Sequence, residues 1–269
     1  VQELYGRPIL NSFHGWWSIG AVCGGFIGSA ARQAGIPVWV QCLAATVVFG
    51  GMSLGAKALL LPGLDHEPQA EWSRQQRRRR LPAGIVVRLA ALGLLGASAG
   101  LMEDTGSTWG AIYLDRQFEV IPFVAGMAFV GLQGAQLVGR FTGDALVSRI
   151  GPRFAVVQGA IIAFLGMGWS LVWPSPVTAI LGFACVGWGV ATAIPSAMHA
   201  ADELPDMNHG DGLMIVTWMM RIGFFGGPPL IGALSEATDL RLALWVVPAF
   251  AVVILALSPS LGRSVGGRR

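Results

Sequence analysis

Phe154-Ala-Val-Val-Gln-Gly-Ala-Ile-Ile-Ala-Phe-Leu-Gly-Met-Gly-Trp-Ser-Leu-Val-Trp173 runs for twenty residues without a charged side chain. A predominantly apolar stretch of about 18 or more residues matches the length a helix needs to cross a bilayer. Hydrocarbon offers the backbone no hydrogen-bond partners, so only helices and closed barrels span it. A barrel strand alternates polar and apolar residues over about ten positions, and this stretch does not. It reads as a membrane helix.

The rest of the chain repeats the pattern. The 269 residues are 54% hydrophobic and 12% charged, with a mean hydropathy of +0.60. A soluble domain carries about 25% charged residues, and a soluble fold of this length could not bury so much apolar surface. The expected fold class is all-α: a polytopic helical membrane protein with about eight spans. They fall near 10–31, 37–61, 84–101, 121–138, 154–173, 176–201, 212–234 and 240–257. The third has a candidate extension to Leu114.

A polar, highly charged segment at 62–83 separates the first two spans from the other six and reads as a solvated linker. The expected organisation is a helical pair over 1–61, the linker, a six-helix unit over 84–258 and a tail over 259–269. Basic residues mark cytoplasmic loops. One set of loops holds Arg7, Lys57, Arg74, Arg77, Arg78, Arg79, Arg80, Arg140, Arg149, Arg153, Arg263, Arg268 and Arg269. The opposite set holds only Arg32, Arg116 and Arg241, while Arg88 and Arg221 fall within spans. This asymmetry supports the span count and predicts an inner-membrane protein with both ends of the chain cytoplasmic. The Arg77–Arg80 run reads as an anchor to anionic lipid, with membrane lipid rather than nucleic acid as the partner.

Cys23, Cys42 and Cys185 lie inside apolar blocks, with no disulfide framework or metal-ligand spacing. No metal or cofactor is expected. The chain starts at Val1 without a signal-peptide pattern; the expectation is a fragment whose upstream part is absent.

Small residues recur at four-residue spacing: Gly20, Gly24 and Gly28 in the first span, and Gly131, Ala135, Gly139 and Gly143 in the fourth. Both sets predict close helix packing. Gly226-Gly-Pro-Pro229 predicts a break or kink in the seventh span.

Gly139-Arg-Phe-Thr-Gly-Asp-Ala-Leu-Val-Ser-Arg-Ile-Gly-Pro-Arg153, read as the loop between spans four and five, resembles a loop signature of the major facilitator superfamily. Ala145 stands where that signature carries a basic residue. Arg7-Pro-Ile-Leu-Asn-Ser-Phe-His-Gly-Trp-Trp-Ser-Ile-Gly-Ala21 and Glu103-Asp-Thr-Gly-Ser-Thr-Trp-Gly-Ala-Ile-Tyr-Leu114 resemble its sugar-permease-like branch. Two spans, a basic linker and six spans match the fifth to twelfth helices of a major facilitator fold, with about four N-terminal helices missing. The resemblance implies a secondary active transporter of a small solute, working by alternating access, with protons as a candidate coupling ion. It also implies a conformational-switch loop built from Arg140, Gly143, Asp144, Arg149, Gly151 and Arg153.

Ionisable groups within spans are costly and so mark candidate working positions. Arg221 lies about 15 Å into the seventh span, beside Trp218, where a cation could bind an anionic or hydroxylated solute. Glu103 and Asp104 are the one carboxylate pair in or near a span; a carboxylate withdrawn from water can carry a proton through a transport cycle. Glu103 lies about 28 Å along its helix from Gly84, which leaves an outer-surface position open. Trp109 could stack on a sugar ring. His14, near the start of the first span, titrates in the neutral range or packs as an ordinary histidine.

An enzyme would need a nucleophile, metal or acid–base constellation. HExxH and phosphate-binding loops are absent. The rival readings are a non-transporting membrane remnant, a receptor-like protein and, behind these, a membrane-embedded enzyme.

Overall fold

The computed structural model describes residues 10–59, 81–205, 207 and 210–262, and all regular structure among them is helical. The chain runs through α1 (Leu10–Gln33), α2 (Val38–Ala56), α3 (Ala83–Phe118), α4 (Pro122–Ile150), α5 (Pro152–Val172), α6 (Pro176–Val190), α7 (Ala193–Asp202), α8 (Asp211–Ala237), α9 (Leu240–Ala243) and α10 (Val246–Leu257). Seven stretches have the length and composition to cross a membrane. Two of them join elements: α6 with α7 (Pro176–Asp202), and α9 with α10 and the following turn (Leu240–Leu261). The protein is therefore the multi-pass helical membrane protein its composition predicts. Most of the expected linker lies outside the described residues.

Proline and glycine punctuate the chain. Proline lacks an N–H and is preset to helical φ, so it fits the first turn of a helix; it opens α4, α5 and α6. At the start of α6, Ser175 Oγ accepts from the Thr178 amide at 3.1 Å. Thr178 Oγ1 accepts from the Ser175 amide at 2.9 Å, closing a capping box. Gly151, at φ +83°, is the entire connection between α4 and α5. The predicted loop over 139–153 is thus mostly helix: Arg140, Gly143, Asp144 and Arg149 all belong to α4.

Helices α3 to α10 pack around a core containing Leu92, Leu95, Met102, Leu132, Met167 and Phe183. Glycines set the close approaches. A Cβ on Gly187 of α6 would strike the Leu132 backbone of α4, and one on Gly223 of α8 would strike the Ala97 backbone of α3. Gly139 and Gly143 form a seam as expected: their added Cβ atoms would lie 2.6 Å from Ala191 Cβ and 3.0 Å from Thr192 Cγ2. The first-span seam differs from expectation. Gly20, Gly24 and Gly28 meet nothing within 4 Å among the described residues, and α1 instead approaches α4 through Gly25, against Phe129 and Val130, and Ser29, against Gly126.

The predicted break also moves. Helix α8 continues through Pro228 and Pro229, whereas the sixth span divides at Ala191–Thr192 between α6 and α7. Pro195 explains the division. Its ring conflicts with the carbonyl four residues earlier, that of Ala191.

Helix α2 is apolar and has no buried residue. The main contact between the first helical pair and the rest of the chain is α1 on α4, and this contact brings α1 to the candidate site.

Candidate functional site

Helix α3 carries Glu103 to the interior. The helix is 36 residues long, about 54 Å at the helical rise, and Glu103 lies about 30 Å from its start. Glu103 is 5% exposed, so its side chain is packed among the helices rather than on a surface loop. The helix does not end near Leu101; it continues through Glu103, Asp104, Ser107 and Thr108 to a left-handed Glu119. Composition suggested an earlier end because these residues are polar. Gly106 and Gly110 let neighbouring helices close over them: added Cβ atoms would meet Leu132 and Phe183 at the first and Ala128 at the second.

Arg140 of α4 faces Glu103. Its Nη2 lies 3.8 Å from Glu103 Oε1, with the two side chains 18% and 7% exposed. That separation exceeds a hydrogen bond, so the groups form a charge pair rather than a tight fork. Arg140 Nη1 donates to Ser18 Oγ of α1 at 2.8 Å, and its guanidinium carbon stands 5.3 Å from the Trp17 ring centroid. One arginine therefore ties α1 to α4 and α3. The sequence expectation put Arg140 in a connecting loop because apolar character falls after Val138; in the structure it is an inward-facing helical residue.

Buried polar groups surround the pair. Gln133 Nε2 reaches Ser107 Oγ at 3.4 Å, and Ser107 Oγ donates to the Glu103 carbonyl at 2.9 Å. Gln136 is fully buried beside Glu103. Glu103 Oε2, Gln133 Oε1 and both amide atoms of Gln136 have no hydrogen-bond partner among the described residues. An unpaired buried polar atom costs about 1–3 kcal/mol, a cost relieved by water, a proton or a solute. Together the groups offer a carboxylate oxygen, a guanidinium and several neutral donors and acceptors.

The other expected residues stand apart from this cluster. Asp104 is half-buried, with Oδ2 unpartnered among the described residues. Trp109 is half-buried against α8, where a Cβ on Gly232 would lie 3.6 Å from its ring. Arg221 and Trp218 sit mid-helix on an exposed face of α8 with Ile222 and Phe225. Arg221 makes no ion pair or hydrogen bond among the described residues. His14 belongs to α1, but its side chain lies outside what the structure describes. Asp144 and Arg149 are exposed near the end of α4, and Arg153 is half-buried in the first turn of α5. His199 and Glu203 pair at 3.4 Å on an exposed surface. Among the described residues, no group of three His, Cys, Asp or Glu side chains could hold a metal ion.

Trp17, Ser18, Gln133 and Gln136 were not anticipated as site residues. Gln133, Gln136 and Arg140 gave a signal, since spacings of three and four place them on one helix face. The contact of Arg140 with α1 left none.

The chain is 30% identical to an uncharacterized transporter of Sinorhizobium fredii over 97% of its own length and 67% of the relative's. It is 26% identical to an uncharacterized MFS-type transporter of Yersinia pestis, over 98% of this chain and 66% of that one. A third relative, the membrane protein MosC of Rhizobium meliloti, is 28% identical over 67% of this chain and 44% of its own length. The chain thus spans about two thirds of the length of the first two curated relatives. No protein-family model matches it, and no solved structure does.

Proposed function

The chain belongs to the family of membrane transporters that includes the Sinorhizobium fredii protein, with an MFS-type transporter of Yersinia pestis among its relatives, and from that premise we propose that it moves a small solute by alternating access, with Glu103 and Arg140 as its working polar centre. The observation that carries the proposal is the buried charge pair midway along α3, tied by Arg140 to Ser18 of α1. Charges at such depth are expensive and are retained at solute and proton pathways.

The mechanism follows from what Arg140 holds. With Glu103 ionised, Arg140 is drawn toward α3 and also bonded to α1. A proton on Glu103 removes the attraction and leaves Arg140 tied to Ser18 and Trp17. The charge of Glu103 thus biases how firmly α1 is coupled to the α3–α4 pair, which is the kind of two-state bias that alternating access requires. The solute is hydroxylated or anionic, because the cluster offers a guanidinium and neutral amides. This is in keeping with a sugar-permease-like branch. The protein is a secondary active, proton-coupled transporter rather than an enzyme, placed in the inner membrane with the 62–83 linker on the cytoplasmic side.

The test compares cells with and without the full-length protein, using mass spectrometry of small solutes in cytosol and medium. A solute whose distribution depends on the protein, and loses that dependence when an ionophore collapses the proton gradient, supports the proposal. Identical solute profiles with and without the protein overturn transport. A distribution that survives the ionophore overturns the proton coupling.

A further inference from the structure

A second polar feature lies away from the Glu103–Arg140 pair. Thr105, Trp109 and Tyr113 follow one another at four-residue spacing on α3, so they stack on one face. Each presents a polar atom with no partner among the described residues: Thr105 Oγ1, Trp109 Nε1 and the Tyr113 hydroxyl. The face runs along α8. A Cβ on Gly227 would lie 3.6 Å from Thr105 Oγ1, and Gly232 stands beside Trp109. Beyond Tyr113 the row opens into a cavity of about 270 Å³ lined by Tyr113, Arg116, Gln117, Ser235, Asp239 and Leu240.

Two donors of this cavity, the Arg116 guanidinium and the Tyr113 hydroxyl, lack an acceptor among the described residues. Tyr113 is 1% exposed, yet its hydroxyl is unsatisfied. Arg116 makes no ion pair among the described residues. The neighbouring Arg241 is already committed, donating to the Leu171 carbonyl at 2.8 Å and the Val172 carbonyl at 3.3 Å. The carboxylate present, Asp239, uses Oδ1 to accept from the Leu242 amide at 2.8 Å and so caps α9. A ligand completing the cavity must bring acceptors and tolerate a cation.

We infer that this cavity, at the end of the bundle where α3 meets α8 and α9, is a second binding site for a small carboxylate-bearing solute. Arg116 and the Tyr113 hydroxyl hold the carboxylate. The Trp109 and Thr105 groups continue the row of unpartnered polar atoms from the cavity toward the middle of α3.

The test is the unfolding temperature of the purified full-length protein in detergent, titrated with succinate and, at matched ionic strength, with choline chloride. A ligand that binds only the folded state raises that temperature by mass action. The expected result is a saturable rise of roughly 3 °C with succinate near tenfold saturation and none with choline. The rise disappears in Tyr113→Phe and Arg116→Gln. Tyr113→Phe removes a hydroxyl that bonds to nothing described, and Arg116 is exposed, so both variants keep the packing. No rise in the unaltered protein overturns the inference. So does a rise that survives both substitutions, which would place succinate elsewhere, including at Arg140.

Discussion

Arg140 of α4 stands between two helices, 3.8 Å from Glu103 Oε1 on α3 and 2.8 Å from Ser18 Oγ on α1. Residues 122 and 37 positions away in sequence from this one arginine are thereby brought to a single guanidinium. The pair is buried, so removing one partner strands the other. Arg140→Met should destabilise the protein by about 3–5 kcal/mol, while the double substitution Glu103→Gln with Arg140→Met should recover part of the loss. Thermal unfolding of the three proteins in detergent measures both effects.

Ser18 Oγ accepts a hydrogen bond from Arg140 Nη1 across the α1–α4 contact. Ser18→Ala should cost about 1–3 kcal/mol, since hydrogen bonds to charged groups lie in that range. It should also loosen α1 from α4 without disturbing the α3–α8 contact. Hydrogen exchange resolved by peptide should rise in α1 and stay unchanged in α8.

Glycine substitutions should separate true packing seams from sequence look-alikes. Gly187→Ala and Gly223→Ala drive a methyl group into backbone atoms of Leu132 and Ala97, and each should cost about 1–3 kcal/mol. Gly20→Ala and Gly24→Ala meet nothing within 4 Å among the described residues and should leave the unfolding temperature unchanged or slightly raised, because alanine is the better helix former.

Arg221 has no partner among the described residues and sits on an exposed α8 face beside Trp218. Arg221→Ala should therefore change stability by no more than about 0.5 kcal/mol. A charge held mid-helix at no packing benefit is expected to serve the solute path, so transport should fall at least tenfold. Flux at the unaltered level would return Arg221 to a passive role.

The helical membrane class was legible because uninterrupted apolar blocks leave few alternatives in lipid. The depth of Glu103 was not. Hydropathy declines where α3 acquires Glu103, Asp104, Ser107 and Thr108, although the helix continues and α4 and α6 close over that face. Arg140 was misread for the same reason: a polar residue after Val138 resembles a loop until its partners are known, and those partners lie on α1 and α3. Prolines misled by position. Pro228 and Pro229 remain within α8, while the single Pro195 divides α6 from α7. Glycine spacing identified the Gly139–Gly143 seam, while Gly20, Gly24 and Gly28 obey the same spacing without facing a described neighbour.

The most direct test of the central claim is flux of the solute identified by the expression comparison, measured for the unaltered protein and for Glu103→Gln at equal membrane abundance. The account predicts at least a tenfold loss of gradient-driven flux in Glu103→Gln, with the remaining flux no longer responding to an imposed pH difference. Full, pH-responsive flux in Glu103→Gln would contradict a working role for the Glu103–Arg140 pair.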